Sequence, residues 1–262
     1  MSEPASRDPV RVVVDGPVAS ITIDRPERRN AITAEVVSGI ARGLDDAGAG
    51  GARVVVLTGS GDRSFCAGAD LSGTGPEGPL AQHARRAEIG ELFQKMRTSP
   101  LPIVARVNGH ALAGGFGLML ACDLVVASSN AEMGTPEIDL GLWPFMVSAV
   151  MQRDLPRKVA LELMFSGRRM TAEEGRHWGF VNRVAEPGEL DDAVADTAGA
   201  LAAKSPAIVA LGKRSFYRAE DMGFDAALDH LAGMLSLCLQ SEDATEGIAA
   251  FLQKRAPEWK GR

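Results

Sequence analysis

An α/β fold with a largely parallel sheet and a helical C-terminal region is the class this sequence predicts. Three observations carry that reading. Strand-like runs at Val54–Leu57, Pro102–Val107 and Leu124–Ala127 alternate with helix-like stretches through the first half. From Thr171 onward strand signals almost vanish and helix-start signals replace them. The chain's 262 residues approach the upper size of one hydrophobic core, so one main body with an appendage is expected.

The elements follow in order. Val10–Val14 and Ala19–Ile23 flank the turn sequence Asp15-Gly16-Pro17 and predict a β-hairpin. Thr33 is placed to cap a helix whose apolar stripe is Val37, Ile40, Ala41 and Leu44. After the strand at Val54–Leu57 comes a Gly/Pro-rich loop at Ser72–Pro79 and a helix from about Ala84 to Met96. Thr171-Ala172-Glu173-Glu174 is a capping-box pattern, and Ser205-Pro206 reads as an N-cap followed by a first-turn proline. Leu190–Ala203, Pro206–Tyr217, Phe224–Leu239 and Ala244–Lys254 are helix-like. The two regions join near Glu186–Glu189, giving an α/β body over residues 1–186 and a helical subdomain over 187–262.

Composition narrows the function. A net charge of −6 gives no electrostatic footprint for nucleic acid. No apolar run approaches the ~20 residues of a membrane span, and the N-terminus Met1-Ser2-Glu3-Pro4 lacks an export signal. Cys66, Cys122 and Cys238 are scattered, with no metal-type spacing, so a reduced cytoplasmic compartment and no metal are expected. Val54–Leu57 leads into a lone Gly59-Ser60-Gly61, which lacks the third glycine and helix opening of a dinucleotide turn. No Gly-x-Ser-x-Gly elbow for a serine hydrolase is present.

Two stretches of tiny residues stand out: Ser64–Leu71, and Val107-Asn108-Gly109-His110-Ala111-Leu112-Ala113-Gly114-Gly115-Phe116-Gly117. Each follows an apolar strand-like run, where a main chain without bulky side chains can offer its own N–H groups to a ligand. Two such groups converging on one oxygen would make a backbone oxyanion hole.

These residues resemble the crotonase superfamily, the enoyl-CoA hydratase/isomerase family. The likeness runs through Ile23–Ala31, Phe65–Leu71, Gly109–Gly117 with Cys122-Asp123, Thr135–Leu142 and the ending Glu246–Arg255, so it covers nearly the whole chain. The resemblance implies a spiral of ββα units with a C-terminal helical trimerisation subdomain, assembled as a homotrimer or dimer of trimers. It implies an acyl-CoA substrate, with no cofactor beyond the coenzyme A that the substrate carries. Carried over by position, the N–H groups of Ala69 and Gly114 hold the thioester oxygen, with Gly114 opening a helix through Leu118–Cys122. Glu137 is the catalytic acid. Backbone from Ala67 through Gly68 and Asp70 to Leu71 resembles the adenine pocket, and Arg28 or Arg29 lies near the phosphates. Phe251 and Lys254 resemble contacts that a neighbouring helix or subunit makes to adenine and ribose phosphate.

Two departures bear on chemistry. Where two-acid hydratases carry their first glutamate this chain has Gly117, leaving Glu137 as the sole proton carrier unless Asp139 assists it. One carboxylate can still take an α-proton from a 3-enoyl thioester and return it at the far carbon, so double-bond isomerisation is favoured. The alternatives are a 2-enoyl-CoA hydratase with a non-standard acid and a catalytically weak acyl-CoA binder. Second, Trp143-Pro144-Phe145-Met146-Val147-Ser148 replaces a glycine-rich stretch, placing bulky Phe145 and Met146 at the acyl pocket; with the Phe251–Arg255 ending it resembles the hydratase-domain-containing branch. Asp70 and Asp123 are expected to brace loops, and His110 to hydrogen-bond near the second loop.

Overall fold

The computed structural model describes residues 8–71 and 78–262, so the N-terminal leader reading and most of the loop expected at Ser72–Pro79 lie outside the described residues. Six strands form the main sheet: β1 (Val10–Asp15), β2 (Val18–Ile23), β3 (Val54–Gly59), β5 (Ile103–Val107), β7 (Leu124–Ser128) and β10 (Arg183–Ala185), side by side in that order. β1 and β2 are the expected antiparallel hairpin, turning at Gly16 with φ +55°. Every later neighbour pairs in parallel.

Side chains alternate across this sheet, as a two-residue period requires. Val55, Leu57, Ile103 and Ala105 enter the larger core. The same core takes Val36, Ile40 and Leu44 from α1 (Ala34–Ala49), which is opened by Thr33, whose Oγ1 accepts the Val36 N–H. A Cβ on Gly39 would stand 2.7 Å from Val10 Cγ2, and one on Gly43 2.9 Å from Val12 Cγ2, so the two glycines let the helix lie against the hairpin. Val54, Val56, Val104 and Val126 face the other way and are covered by α7 (Leu190–Ala202) through Leu190, Ala193, Val194 and Ala198. In packing, α7 therefore belongs to the body, although it follows the boundary expected near residue 186.

A second sheet is small: β4 (Ser64–Cys66), β6 (His110–Leu112), β8 (Glu132–Gly134) and β9 (Arg169–Thr171) in that order, the first three parallel. Between the strands lie α2 (Pro79–Thr98), α3 (Gly114–Leu120), α4 (Phe145–Asp154), α5 (Arg157–Ser166) and α6 (Ala172–Trp178). The capping box forms at the start of α6, with Thr171 and Glu174 each accepting the other's backbone N–H.

Three helices extend beyond the body: α8 (Pro206–Glu220), α9 (Phe224–Leu239) and α10 (Glu242–Gln253). A buried polar node fastens α8 to the sheet. The Lys213 ammonium, 7% exposed, donates to Asp123 Oδ2 at 2.6 Å and to the carbonyls of Met96 and Leu101. Tyr217 O–H donates to Asp123 Oδ1 at 2.8 Å, and Ile103 N–H to Oδ2 at 2.7 Å. Asp123 braces the structure as the sequence suggested. By contrast α9 buries no residue, and Phe224, Leu228, Leu235 and Leu239 stand exposed. Among the described residues no single helix is long and apolar enough to cross a membrane.

Candidate active site

Adjacent parallel strands release their C-terminal loops at the same end of a sheet. β4 and β6 are such neighbours, with Ser64 opposite His110 and Cys66 opposite Ala111. The loop after β4 therefore meets the loop after β6. Their approach is close: a Cβ on Gly68 would fall 2.7 Å from Ala113 Cβ and 3.2 Å from Gly114 N. Gly68 also has φ +94°, a conformation costly for any residue with a side chain. One residue on, a Cβ on Gly115 would stand 2.1 Å from the Cys66 carbonyl oxygen, so α3 begins pressed on β4.

Among the described residues, each loop keeps an amide without a backbone acceptor beside the close approach. Ile32 pairs with Ala69 as an isolated bridge, donating to the Gly68 carbonyl (2.8 Å) and accepting from Asp70 N–H (2.9 Å). Successive amides of an extended chain point to opposite sides, so the Ala69 N–H faces away from Ile32. Gly114 is the first residue of α3, whose first amides have no partner within the helix. Ala113 precedes it at φ 53°, ψ −128°, a strained geometry for a non-glycine residue that sets the direction of the Gly114 N–H. Among the described residues neither the Ala69 nor the Gly114 N–H has a backbone acceptor.

Glu137 arrives from the next strand. β8 pairs with β6, and the Ala113 N–H donates to the Gly134 carbonyl at 2.8 Å. This bond ties the Gly114 loop to the segment that carries Glu137, a 3-10 turn over Pro136–Leu140. Burial pushes the Glu137 carboxyl above the usual carboxylate range. Its Oε2 is enclosed without a hydrogen-bond partner, and so is the hydroxyl of the fully buried Thr135. Buried polar atoms of this kind cost about 1–3 kcal/mol each until something pairs with them. The Thr135 hydroxyl went unnoticed in the sequence; a threonine at a helix start that caps nothing was its only signal.

Comparison with known proteins decides the family. The model for enoyl-CoA hydratase/isomerase matches residues 14–262. The chain belongs to that family. Carnitinyl-CoA dehydratase of Proteus mirabilis is 37% identical over 259 residues, spanning 94% of this chain and 96% of the relative. A Mycobacterium smegmatis enoyl-CoA hydratase structure superposes with a TM-score of 0.92 at 31% identity, over 97% of this chain and 99% of that one. Human enoyl-CoA hydratase domain-containing protein 3 gives 0.91 at 30% identity, over 96% and 100%. The crotonase-type α/β fold expected from sequence is therefore the fold observed.

Within that family fold, the place of the missing acid is filled. A Cβ on Gly117 would stand 2.9 Å from the Phe93 ring and 3.0 Å from Val147 Cγ2, leaving no room for a glutamate. Asp139 is directed toward α5 instead. Residues two apart on a 3-10 turn lie on different sides, and the Asp139 oxygens approach Gly167 at the end of α5, 3.1–3.2 Å from where its Cβ would be. Of the two bulky residues expected at the acyl pocket, Phe145 is instead 76% exposed, because it opens α4 on the solvent side. Met146 reaches inward to α2.

The remaining sequence candidates divide. Asp70 accepts from Arg25 at 2.9 Å, so its side chain braces the first loop while its backbone lines it. Leu71 is 63% exposed at the loop's end. Two buried amides missed in the sequence hold the surrounding turns. Asn30 Nδ2 donates to the Ser60 and Ser64 carbonyls, and Asn108 Nδ2 to those of Gly61 and Ser64. Arg28 is exposed at the end of a 3-10 turn. Its neighbour Arg29 lines a cavity of ≈ 450 Å³ with Arg63, Arg169, His110 and Asn130, and this cavity reaches Ala67. Among the described residues Arg29 and Arg63 form no ion pair. His110 Nδ1 accepts the Glu132 N–H at 3.2 Å, a hydrogen-bonding role near the second loop. Burial pushes the Cys66 thiol up to about 12, so it stays protonated and unreactive. Phe251, 82% exposed, and Lys254 sit at the end of α10, which packs on α8 and α9 rather than beside the two loops.

Proposed function

We propose that the protein moves a double bond within an acyl-CoA thioester, with Glu137 carrying the proton. The Ala69 and Gly114 amides grip the thioester oxygen. Glu137, ionised, takes a proton from C2 of a 3-enoyl thioester; the C–H electrons form a dienolate whose charge rests on that oxygen. The protonated carboxyl then returns the proton to C4, the double bond settles between C2 and C3, and Glu137 is ionised again. A carboxyl whose pKa is raised by burial suits both halves of this transfer. The observation that carries the reading is the enclosed, unpartnered Glu137 Oε2, in a site where Phe93 and Val147 fill the space at Gly117.

Arg29 and Arg63 are proposed to take phosphate oxygens of coenzyme A, since guanidinium forks match them and the Ala67 backbone adjoins. The bare apolar faces of α9 and α10 support assembly into trimers, in which one copy's Phe251 and Lys254 reach a neighbour's nucleotide. A second reading, reversible hydration, is favoured by the carnitinyl-CoA dehydratase relative. It requires a second group to supply or accept the water's other proton.

The test uses a 3-enoyl-CoA deuterated at C2 and a 2-enoyl-CoA, followed by absorbance of the conjugated thioester. Isomerisation should outrun hydration by about 10²-fold or more, the factor a positioned acid–base group commonly supplies. Part of the deuterium should reappear on C4. Hydration at an equal or greater rate overturns the isomerase reading, and CoA binding without turnover of either substrate points to a binder.

Gly68→Ala is expected to separate the two loops, because its Cβ would meet that of Ala113 at 2.7 Å. With one amide displaced, kcat should fall about 10²-fold or more, as on losing an oxyanion donor, with KM changed little. Steady-state kinetics read this directly, and a wild-type kcat would remove Ala69 and Gly114 from the mechanism.

A further inference from the structure

The space beside the Ala69 and Gly114 amides is bounded by α2. Ile89 Cδ1 lies 3.6 Å from where a Cβ on Gly114 would stand, and the Phe93 ring 2.9 Å from the matching point on Gly117. Ile89, Gly90 and Phe93 share one side of α2, by their spacing along a helix. Gly90, between them, has one neighbour within 4 Å of its Cβ position: Met146 Cε, at 2.5 Å. A glycine inside a helix costs roughly 1 kcal/mol relative to alanine. Here no backbone crowds it, and the room it makes is filled by the tip of one flexible thioether.

Met146 itself, the second residue of α4, is 40% exposed, so it is not locked into the core. An acyl chain with its carbonyl at Gly114 would lie beside Ile89 of α2, on the side of that helix that also carries Phe93 and the Met146 tip seated at Gly90. Phe93 cannot yield, because its ring is packed on Gly117 and is 7% exposed.

We propose that Met146, seated over Gly90, closes the acyl end of the site and limits the substrate to short acyl groups. The inference rests on the thioester reading of Ala69 and Gly114. Its test separates the two by measuring binding without turnover: titration calorimetry with saturated acyl-CoAs from acetyl to decanoyl, on wild type, Met146→Ala and Met146→Leu. In wild type, affinity should stop rising beyond the butyryl or hexanoyl chain. In Met146→Ala it should go on rising by up to about fourfold per added methylene, the value of burying one such group. Decanoyl-CoA should then bind Met146→Ala at least about tenfold tighter than wild type, with acetyl-CoA unchanged within about twofold. Met146→Leu conserves volume and should keep the wild-type limit. Parallel ladders for wild type and Met146→Ala, or tight decanoyl-CoA binding by wild type, overturn the length limit and leave the thioester site standing. Failure of wild type to bind any acyl-CoA, acetyl-CoA included, overturns both.

Discussion

Glu137→Gln is expected to lower kcat by about 10²–10⁴-fold, the usual contribution of a positioned acid–base group. Affinity for saturated acyl-CoA should stay within a few fold, because the amide keeps the carboxylate's shape. The pH profile separates catalysis from packing. Burial raises the Glu137 pKa, and the base works only when ionised, so wild-type kcat/KM should fall as pH drops through a value above the ordinary carboxylate range. That acid limb should vanish from the variant's residual rate. Stability should move the opposite way. A carboxyl with a raised folded-state pKa binds more protons folded than unfolded, so wild type loses stability as pH rises from the unfolded pKa through the folded one. Glutamine lacks this loss, and the variant should melt higher at neutral pH. An unchanged kcat, or an acid limb that persists, removes Glu137 as the proton carrier.

Asp123→Ala is expected to cost about 3–5 kcal/mol of unfolding free energy, the range for stripping a buried charge of its partner. It would leave the Lys213 ammonium, 7% exposed, with only the carbonyls of Met96 and Leu101. It would also strand the hydroxyl of Tyr217 and the amide of Ile103. Denaturant titration should show the loss, and Asp123→Ala combined with Lys213→Met should recover much of it, since the orphaned charge is then gone. A single-variant loss under about 1 kcal/mol would show that apolar packing, not this node, seats α8 on the body.

Periodic and capped elements were legible from the chain itself. The Val10–Ile23 hairpin, the parallel strands at Val54 and Ile103, and the cap residues Thr33, Thr171 and Ser205 all behave as their local chemistry dictates. The second sheet was not legible. Its strands are only three residues each, too short for an alternating pattern, and they form because neighbours in space complete them. That is also why resemblance, and not periodicity, pointed to Ala69 and Gly114. The filled space at Gly117 could not be foreseen, because Phe93 and Val147 lie on helices distant in sequence. Phe145 misled for a simple reason: bulk in a motif does not say which way a side chain turns. Arg63 carried no signal, as it joins Arg29 only through the small sheet.

That sheet has a kinetic consequence. The reacting groups come from three loops whose contacts are all remote in sequence, and long-range closures of this kind are slow to form. A chain refolding from denaturant should therefore recover helical ellipticity ahead of catalytic competence. Enzymatic activity would then report the completed topology more faithfully than any spectroscopic measure of secondary structure.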